Sequence, residues 1–331
     1  MTCSSCNYSS HANDRFCTQC GHALSHIDGL SGICLDGKTT ALQDSSVDLI
    51  RSHQLAGISD RGLWHFLNED AVAVEPLSMG RSVLIVCDGV SSSTHPEQAS
   101  STAATIVALA LAADLATCPT SCPKVALASA IRQAQQAVAR LVDPDLTEPD
   151  FMAPDLGDFS SHNQCLRNPP ATTIVAALIQ TDDQAQTTAT IGWLGDSRAY
   201  WISSKSSQLL TRDDSWLNAV RLSDKLTEAE ALGSPYVHAI IRWLGANDDH
   251  SPSMIQVPLD QSGYLILCSD GFWNYAAEPD RVAELCFPIQ SAAPHSAHTI
   301  AQTLVHYALS CGGRDNISVA VYYYEPQPNP I

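Results

Sequence analysis

Val83-Leu84-Ile85-Val86-Cys87-Asp88-Gly89 is a short apolar run that ends abruptly in a carboxylate and a glycine. Tyr264-Leu265-Ile266-Leu267-Cys268-Ser269-Asp270-Gly271 repeats the pattern far downstream. Both read as buried strands that deliver an aspartate to a sheet end, with a glycine letting the chain turn at once. Further acidic punctuation falls at Asn68-Glu69-Asp70, Gly195-Asp196-Ser197 and Gly313-Arg314-Asp315-Asn316. Carboxylates at strand ends are hard to justify in a stable core. They are easily justified around hard, oxygen-seeking cations.

Bulk properties bound the alternatives. The chain has 331 residues, 45% of them apolar and 16% charged, with a formal net charge of −18. That length permits one large domain with an appendage. Strong acidity argues against a nucleic-acid groove and fits simple solubility. Of the twelve cysteines, four lie in the first 20 residues. The rest are scattered, and Cys87, Cys268 and Cys286 sit in apolar surroundings, as buried free thiols of reducing compartments do. No basic-then-apolar leader opens the sequence. The longest apolar run, around Ile106 to Ala113, is too short for a bilayer and is interrupted by Asp114. The expectation is a cytoplasmic protein with no membrane or nucleic-acid partner.

Residues 1–25 carry Cys3-x-x-Cys6 and Cys17-x-x-Cys20. Paired CxxC turns are a standard enclosure for one tetrahedral Zn2+, and a segment with so little core needs the metal to fold. The stretch resembles the small zinc ribbons that begin many bacterial proteins, where the role is structural or docking. Residues 26–50 are polar and read as a linker. A catalytic domain is expected over 51–325, and 326–331 as a proline-rich tail.

Within that domain, strands are expected at 57–60, 71–74, 82–87, 172–179, 187–194, 199–202, up to Asp270, and at 317–324. The pair around Gly195-Asp196 reads as a hairpin. Thr94-x-x-Glu97 has capping-box spacing and opens an alanine-rich helix to about Ala116, apolar nearly all round. A second helix spans about Lys124 to Leu141. Shorter helices follow at 215–222 and behind Thr227-x-x-Glu230, and a last one at 298–310. The pattern predicts an α+β fold of two packed antiparallel sheets flanked by helices, not a doubly wound one.

In order, Ser59-Asp60-Arg61-Gly62 to Asn68-Glu69-Asp70-Ala71, Val86-Cys87-Asp88-Gly89, Ala171-Thr172-Thr173, Gly195-Asp196-Ser197-Arg198-Ala199-Tyr200, Leu210-Thr211-Arg212-Asp213-Asp214-Ser215, Cys268-Ser269-Asp270-Gly271-Phe272-Trp273 and Gly312-Gly313-Arg314-Asp315-Asn316-Ile317-Ser318-Val319 resemble the metal-dependent PPM (type 2C) protein phosphatases, and their bacterial subgroup most. The resemblance implies an α-β-β-α sandwich that hydrolyses phosphoserine and phosphothreonine in proteins, substrates of a Ser/Thr kinase. It implies two Mn2+ or Mg2+ ions and a third, weaker one. Asp88 would bridge the pair, the Gly89 carbonyl and Glu69 would serve the second ion, and Asp270 and Asp315 would hold the first. Asp196 would join Asp270 at the third. Asp70 and Asn316 would lie behind the ligands. Cations about 3.5–4 Å apart share one water, lower its pKa and neutralise phosphoryl charge.

Three positions depart from the family pattern. His65 stands where an arginine often grips the phosphate, leaving His65 and Arg61 as candidate phosphate contacts. Imidazole offers two donors at most. Val90 replaces a histidine that many eukaryotic members carry after the Asp-Gly pair; His95 is an alternative proton donor. Ser91-Ser92-Ser93 replaces glycines. The rival reading is a pseudophosphatase that binds phosphoproteins as a scaffold.

Overall fold

A computed structural model describes residues 46–118, 120–141, 168–223, 227–234, 236–237, 239–245, 251–287 and 296–326. The four-cysteine segment and the tail from 327 lie outside the described residues, as does most of the expected linker. All described residues belong to one unit, Asp44–Ile331.

Two antiparallel sheets form the centre. One has the strand order β1 (Ser46–Ser52), β2 (Leu55–Asp60), β11 (Ile317–Tyr324), β10 (Gly263–Cys268), β7 (Arg198–Ser203), β8 (Ser207–Leu209). The other runs β3 (Asp70–Pro76), β4 (Ser82–Asp88), β5 (Ile174–Thr181), β6 (Thr187–Leu194), β9 (Ser253–Leu259). β1 begins inside the stretch read from composition as a linker, and it pairs along β2.

The apolar runs have no polar face because each sheet is covered on both sides. In β4, Val83, Ile85 and Cys87 pack under α1 (Pro96–Thr117) and α2 (Pro123–Ala139), whereas Leu84 and Val86 face the other sheet. In β10, Leu265 and Leu267 enter that same inter-sheet core. Tyr264, Ile266 and Cys268 point outward, against α5 (Asp270–Trp273), α6 (Pro279–Cys286) and α7 (Ala297–Ser310). The alternation of period two is therefore present in contacts but invisible in hydropathy. The layers are α-β-β-α. Two shorter helices, α3 (Trp216–Ser223) and α4 (Glu228–Leu232), follow β8, and α4 carries the expected Thr227–Glu230 capping box.

Three expectations need correction. The segment Gly195-Asp196-Ser197 does not close a hairpin: β6 lies in the five-stranded sheet and β7 in the six-stranded one, so the turn is the crossover between layers. No capping box opens α1. His95 occupies the cap position with φ 51, Pro96 follows, and the Thr94 hydroxyl donates instead to the Asn168 carbonyl at 3.1 Å. Nor is α1 buried all round. It is long and apolar enough to cross a membrane by length and composition, yet Ala99, Ala103, Val107, Leu111 and Leu115 form a buried stripe packed on the sheet while Leu109 is exposed. It is a core helix of this fold.

Candidate active site

The antiparallel register brings every carboxylate expected at the site to one end of the sandwich. Asp70, which opens β3, pairs with Asp88, which closes β4. On the other sheet, Asp270 follows the end of β10 and Asp315 precedes the start of β11, and those strands pair antiparallel. Asp196 lies in the crossover. Glu69, Asp88, Gly89, Asp196, Asp270, Asp315 and Asn316 line one cavity of about 290 Å³, together with Val90, Ser91, Ser92, Thr173 and Ile240.

Asp88 is held through its backbone, and its carboxyl meets that of Asp270 in a side-chain hydrogen bond. Its carbonyl accepts from the Thr173 N–H at 2.8 Å and from the Thr172 hydroxyl at 2.9 Å, and its N–H donates to Thr173 Oγ1 at 3.2 Å. Thr173 Oγ1 also lies 2.8 Å from Ser197 Oγ, joining the ends of the two sheets. From sequence the two threonines read as strand packing; in the fold they position Asp88. Gly89 must be glycine, because a Cβ there would come within 2.6 Å of the Glu69 carbonyl oxygen.

Glu69 and Asp70 are placed with equal care. Glu69 Oε2 accepts from Ser91 Oγ at 2.6 Å, and the Glu69 N–H donates to Asn316 Oδ1 at 2.7 Å. The Asn316 amide donates onward to the carbonyls of Arg61 and Leu67, at 2.8 and 3.0 Å. Asn316 thus ties the 61–69 loop to β11. Gly62, with φ 73, lets that loop pass so close to Asp315 that any Cβ would collide with the Asp315 carbonyl. Asp70 does not line the cavity; it sits behind it. Its Oδ2 accepts from Ser269 Oγ at 2.7 Å, and that oxygen accepts in turn from the Ser318 N–H at 3.0 Å. Ser269 was missed from sequence; its only signal is the hydroxyl placed directly before Asp270.

Crowding of like charges marks the site electrostatically. Burial, followed by the charges of Asp70, Asp270, Asp196 and Asp315, pushes the Asp88 carboxyl well above its ordinary range. Burial does the same for Asp70, with Asp270 and Asp315 adding to it. Asp270 is raised to about 6 by burial and by Asp315. Asp196 is raised to about 7 by burial, Asp270 and Asp213. Such perturbation in a cleft is the usual mark of a functional site.

The expected phosphate contacts are partly committed elsewhere. His65 Nε2 lies 3.3 Å from Asp315 Oδ1, an oxygen that also accepts from the Asn316 N–H at 2.8 Å. The Arg61 guanidinium donates to the His65 carbonyl and so braces its own loop. His95 is outside the cavity lining; its ring faces Glu97 and Gln98 instead.

The Arg198–Asp213 pair braces the loop that carries Asp196. The guanidinium makes two bonds to the carboxylate, 2.9 and 2.8 Å, and stacks on Trp273 at 3.8 Å from the ring centroid. The Trp273 indole N–H donates to the Asp196 carbonyl at 2.9 Å. The chain of contacts fixes the crossover loop, and both charged partners are nearly enclosed, at 13% and 11% exposure. Arg198→Ala is therefore expected to strand Asp213 and to cost about 3–5 kcal/mol of stability, read as a lowered urea midpoint with unchanged slope.

The donor set suits divalent cations of the Mg2+ and Mn2+ kind: all oxygen, mostly carboxylate, mutually repelling, facing one cavity. Among the described residues no three His, Cys, Asp or Glu side chains converge closely enough to enclose a metal on their own. Asp315 shows one reason, since its Oδ1 is turned toward His65. Carbonyl and water oxygens are ordinary members of such shells. The mutual repulsion of Asp88, Asp196 and Asp270 weighs more here than the missing closure, because it is what a bound cation would relieve.

Comparison with known proteins agrees with this geometry. The family model described as Protein phosphatase 2C matches residues 65–306. Protein phosphatase PhpP of Streptococcus pneumoniae is 34% identical over 128 residues, covering 39% of this chain and 50% of that protein. The chain spans about half the length of the curated relatives it matches. The crystal structure of the Mycobacterium tuberculosis serine/threonine phosphatase PstP/Ppp superposes with a TM-score of 0.60 at 26% identity, covering 82% of this chain and 98% of that one. The catalytic domain of PstP in complex with two manganese ions shares the fold, with a TM-score of 0.58 at 24% identity over 82% and 98% of the two chains. With a family model that takes in the whole five-stranded sheet, β7, β8 and β10 of the other and the crossover between them, the chain belongs to the protein phosphatase 2C family.

Proposed function

We propose that this domain hydrolyses phosphoserine and phosphothreonine in proteins with divalent cations as cofactors. One observation carries the reading: Asp88 with the Gly89 backbone, Asp196, Asp270 and Asp315, from four separate points in the chain, share one cavity. Asp88, Asp270 and Asp315, with the Gly89 carbonyl and Glu69, would hold two cations, and Asp196 with Asp270 a third. Bound there, Mn2+ or Mg2+ supplies Lewis acidity, lowering the pKa of water and neutralising charge on the phosphoryl group. A fold neighbour was solved with two manganese ions, which supports that choice.

The chain's own residues do the positioning. Thr172 and Thr173 hold the Asp88 backbone, and Asn316 holds the Glu69 backbone. Ser269 fixes the Asp70 carboxylate behind the ligands. Metal-titrated hydrolysis of a phosphothreonine peptide tests the reading. No turnover by folded protein with either Mn2+ or Mg2+ overturns it in favour of a phosphoprotein-binding scaffold.

His65 is proposed to contact the substrate phosphate weakly while bracing Asp315. His65→Ala is expected to raise KM about three- to tenfold with a smaller effect on kcat, the pattern of lost ground-state binding. Kinetics identical to wild type between about pH 5.5 and 8 would remove His65 from the site. For residues 1–25 the inference is one structural zinc on Cys3, Cys6, Cys17 and Cys20. Its support is the spacing alone, and a metal analysis returning no zinc overturns it.

A further inference from the structure

A second cavity, of about 520 Å³, opens beside the carboxylate pit and shares Val90, Ser92 and Ile240 with it. Pro169, Ala239 and Trp243 add apolar surface, and no charged side chain lines it. Two of the polar side chains around it are tied to its walls. Ser93 Oγ accepts from the Ala171 N–H at 3.2 Å, and the Asn168 amide donates to the Ser92 carbonyl at 3.3 Å.

Both walls are built in advance. Val90 donates its N–H to Ala171 at 2.9 Å, and Ser93 donates to Val90 at 2.7 Å. On the opposite side, the Trp216 N–H donates to Ala239 at 2.8 Å, Ile241 donates to the Asp214 carbonyl at 2.8 Å, and Leu244 exchanges two backbone bonds with Thr172. Arg242, just before Trp243, pairs with Asp214 at 2.9 Å. The groove is thus held to the threonine that positions Asp88. A phosphorylated residue seated in the pit can lay a neighbour on this surface, since the two cavities share Val90, Ser92 and Ile240. In extended backbone, side chains two apart lie on one side, about 6.6 Å from each other, so a near neighbour can enter the shared mouth.

Resting on the phosphatase reading, we propose that the groove is a substrate subsite that takes an uncharged apolar side chain within three residues of the phosphorylated one. Trp243 and Ile240, the largest apolar side chains lining it, determine that preference. The occupant is apolar because a concavity lined mainly by Val90, Pro169, Ala171, Ala239, Ile240 and Trp243, with no charged group, gains most by desolvating hydrocarbon.

The test is a set of phosphothreonine peptides, each carrying Leu, Phe, Ser or Asp at one position within three residues on either side, assayed with Mn2+. At one or more positions Leu or Phe should exceed Asp by about tenfold in kcat/KM, expressed in KM. Trp243→Ala should remove most of that preference and Trp243→Phe should keep it. The readout is the ratio of peptide to p-nitrophenyl phosphate turnover, which discounts any general damage. Should Trp243→Ala fail to fold, Ala239→Glu places a carboxylate in the groove and should erase the preference for Leu over Ser. Hydrolysis with no apolar preference at any position overturns the subsite and leaves the phosphatase reading standing, as does a preference that survives both substitutions. No hydrolysis of any peptide or of p-nitrophenyl phosphate overturns both. A concentration-dependent dimer in sedimentation, dissolved by Ala239→Glu, would assign the groove to a second copy of this chain and overturn the proposal.

Discussion

Asp88→Asn is expected to lower Mn2+-dependent turnover of p-nitrophenyl phosphate by about a hundred- to a thousandfold, the scale on which removal of one transition-state charge stabiliser acts, while the metal-free protein becomes more stable. The two halves of that result follow from one geometry. Asp88 is oriented by backbone bonds to Thr172 and Thr173 that do not use its carboxylate, so asparagine can occupy the position without disturbing the end of β4. What disappears is a negative charge surrounded by Asp70, Asp270, Asp196 and Asp315. With a cation present that charge is the proposed bridge; without one it either repels its neighbours or has to be neutralised by a proton shared with Asp270. A carboxyl whose pKa is raised by folding destabilises the folded state at pH values above its unfolded pKa, so at neutral pH the neutral amide relieves a cost. Steady-state kinetics at saturating Mn2+ and thermal denaturation in chelator check the pair. A variant keeping more than about a tenth of wild-type turnover removes Asp88 from the metal bridge. Lost turnover with a lowered melting temperature would mean a folding defect instead.

How far the sequence reaches is decided by range. The strands β4, β10 and β11 were legible because a strand buried on both faces has to be apolar throughout, and the Asp-Gly endings stood out against those runs. The turn at Gly195-Asp196 was legible as a turn but not as a crossover. A glycine with φ 105 serves either purpose, and only the partners of β6 and β7 tell them apart. β9 escaped because it is an edge strand with a mixed burial pattern and a proline at 258, which edges tolerate. Among the site residues, carboxylates were read from their local setting. Ser269 and the Arg198–Asp213 pair were not, since a hydroxyl bonded across 199 residues of sequence, or a fork closed across 15, leaves no local pattern. The apolar groove beside the pit has the same origin: Val90 and Trp243 are neighbours only because Thr172 pairs with both Gly89 and Leu244.

The second large effect is the coupling of pH, metal and stability. Asp270 and Asp196 ordinarily titrate near 3.8; in the fold they rise to about 6 and about 7. Between those limits the metal-free folded protein holds protons that the unfolded chain has already released. The unfolded state therefore binds fewer protons, and the contribution of these groups to stability falls as pH rises from about 4 to about 7. A divalent cation binds the ionised carboxylates and competes with those protons, so its stabilising effect must grow through the same window. The measurement is the difference in melting temperature with Mn2+ and with chelator, taken at each pH; the protein's other acidic groups, among 35 in all, largely cancel in that difference. Little shift is expected near pH 4.5. At pH 7.5, with Mn2+ at a hundred times its Kd, stabilisation of about 2.7 kcal/mol corresponds to a rise on the order of 5–10 °C for a domain of this size. Asp88→Asn should flatten the pH dependence, because it removes both a competitor for the cavity's charge and the proposed bridge. A manganese shift that is constant across the range would show that the cations bind where no proton is displaced, away from Asp196 and Asp270. A shift that shrinks with rising pH would contradict the charge argument itself, since it would require the cation to prefer protonated carboxyls.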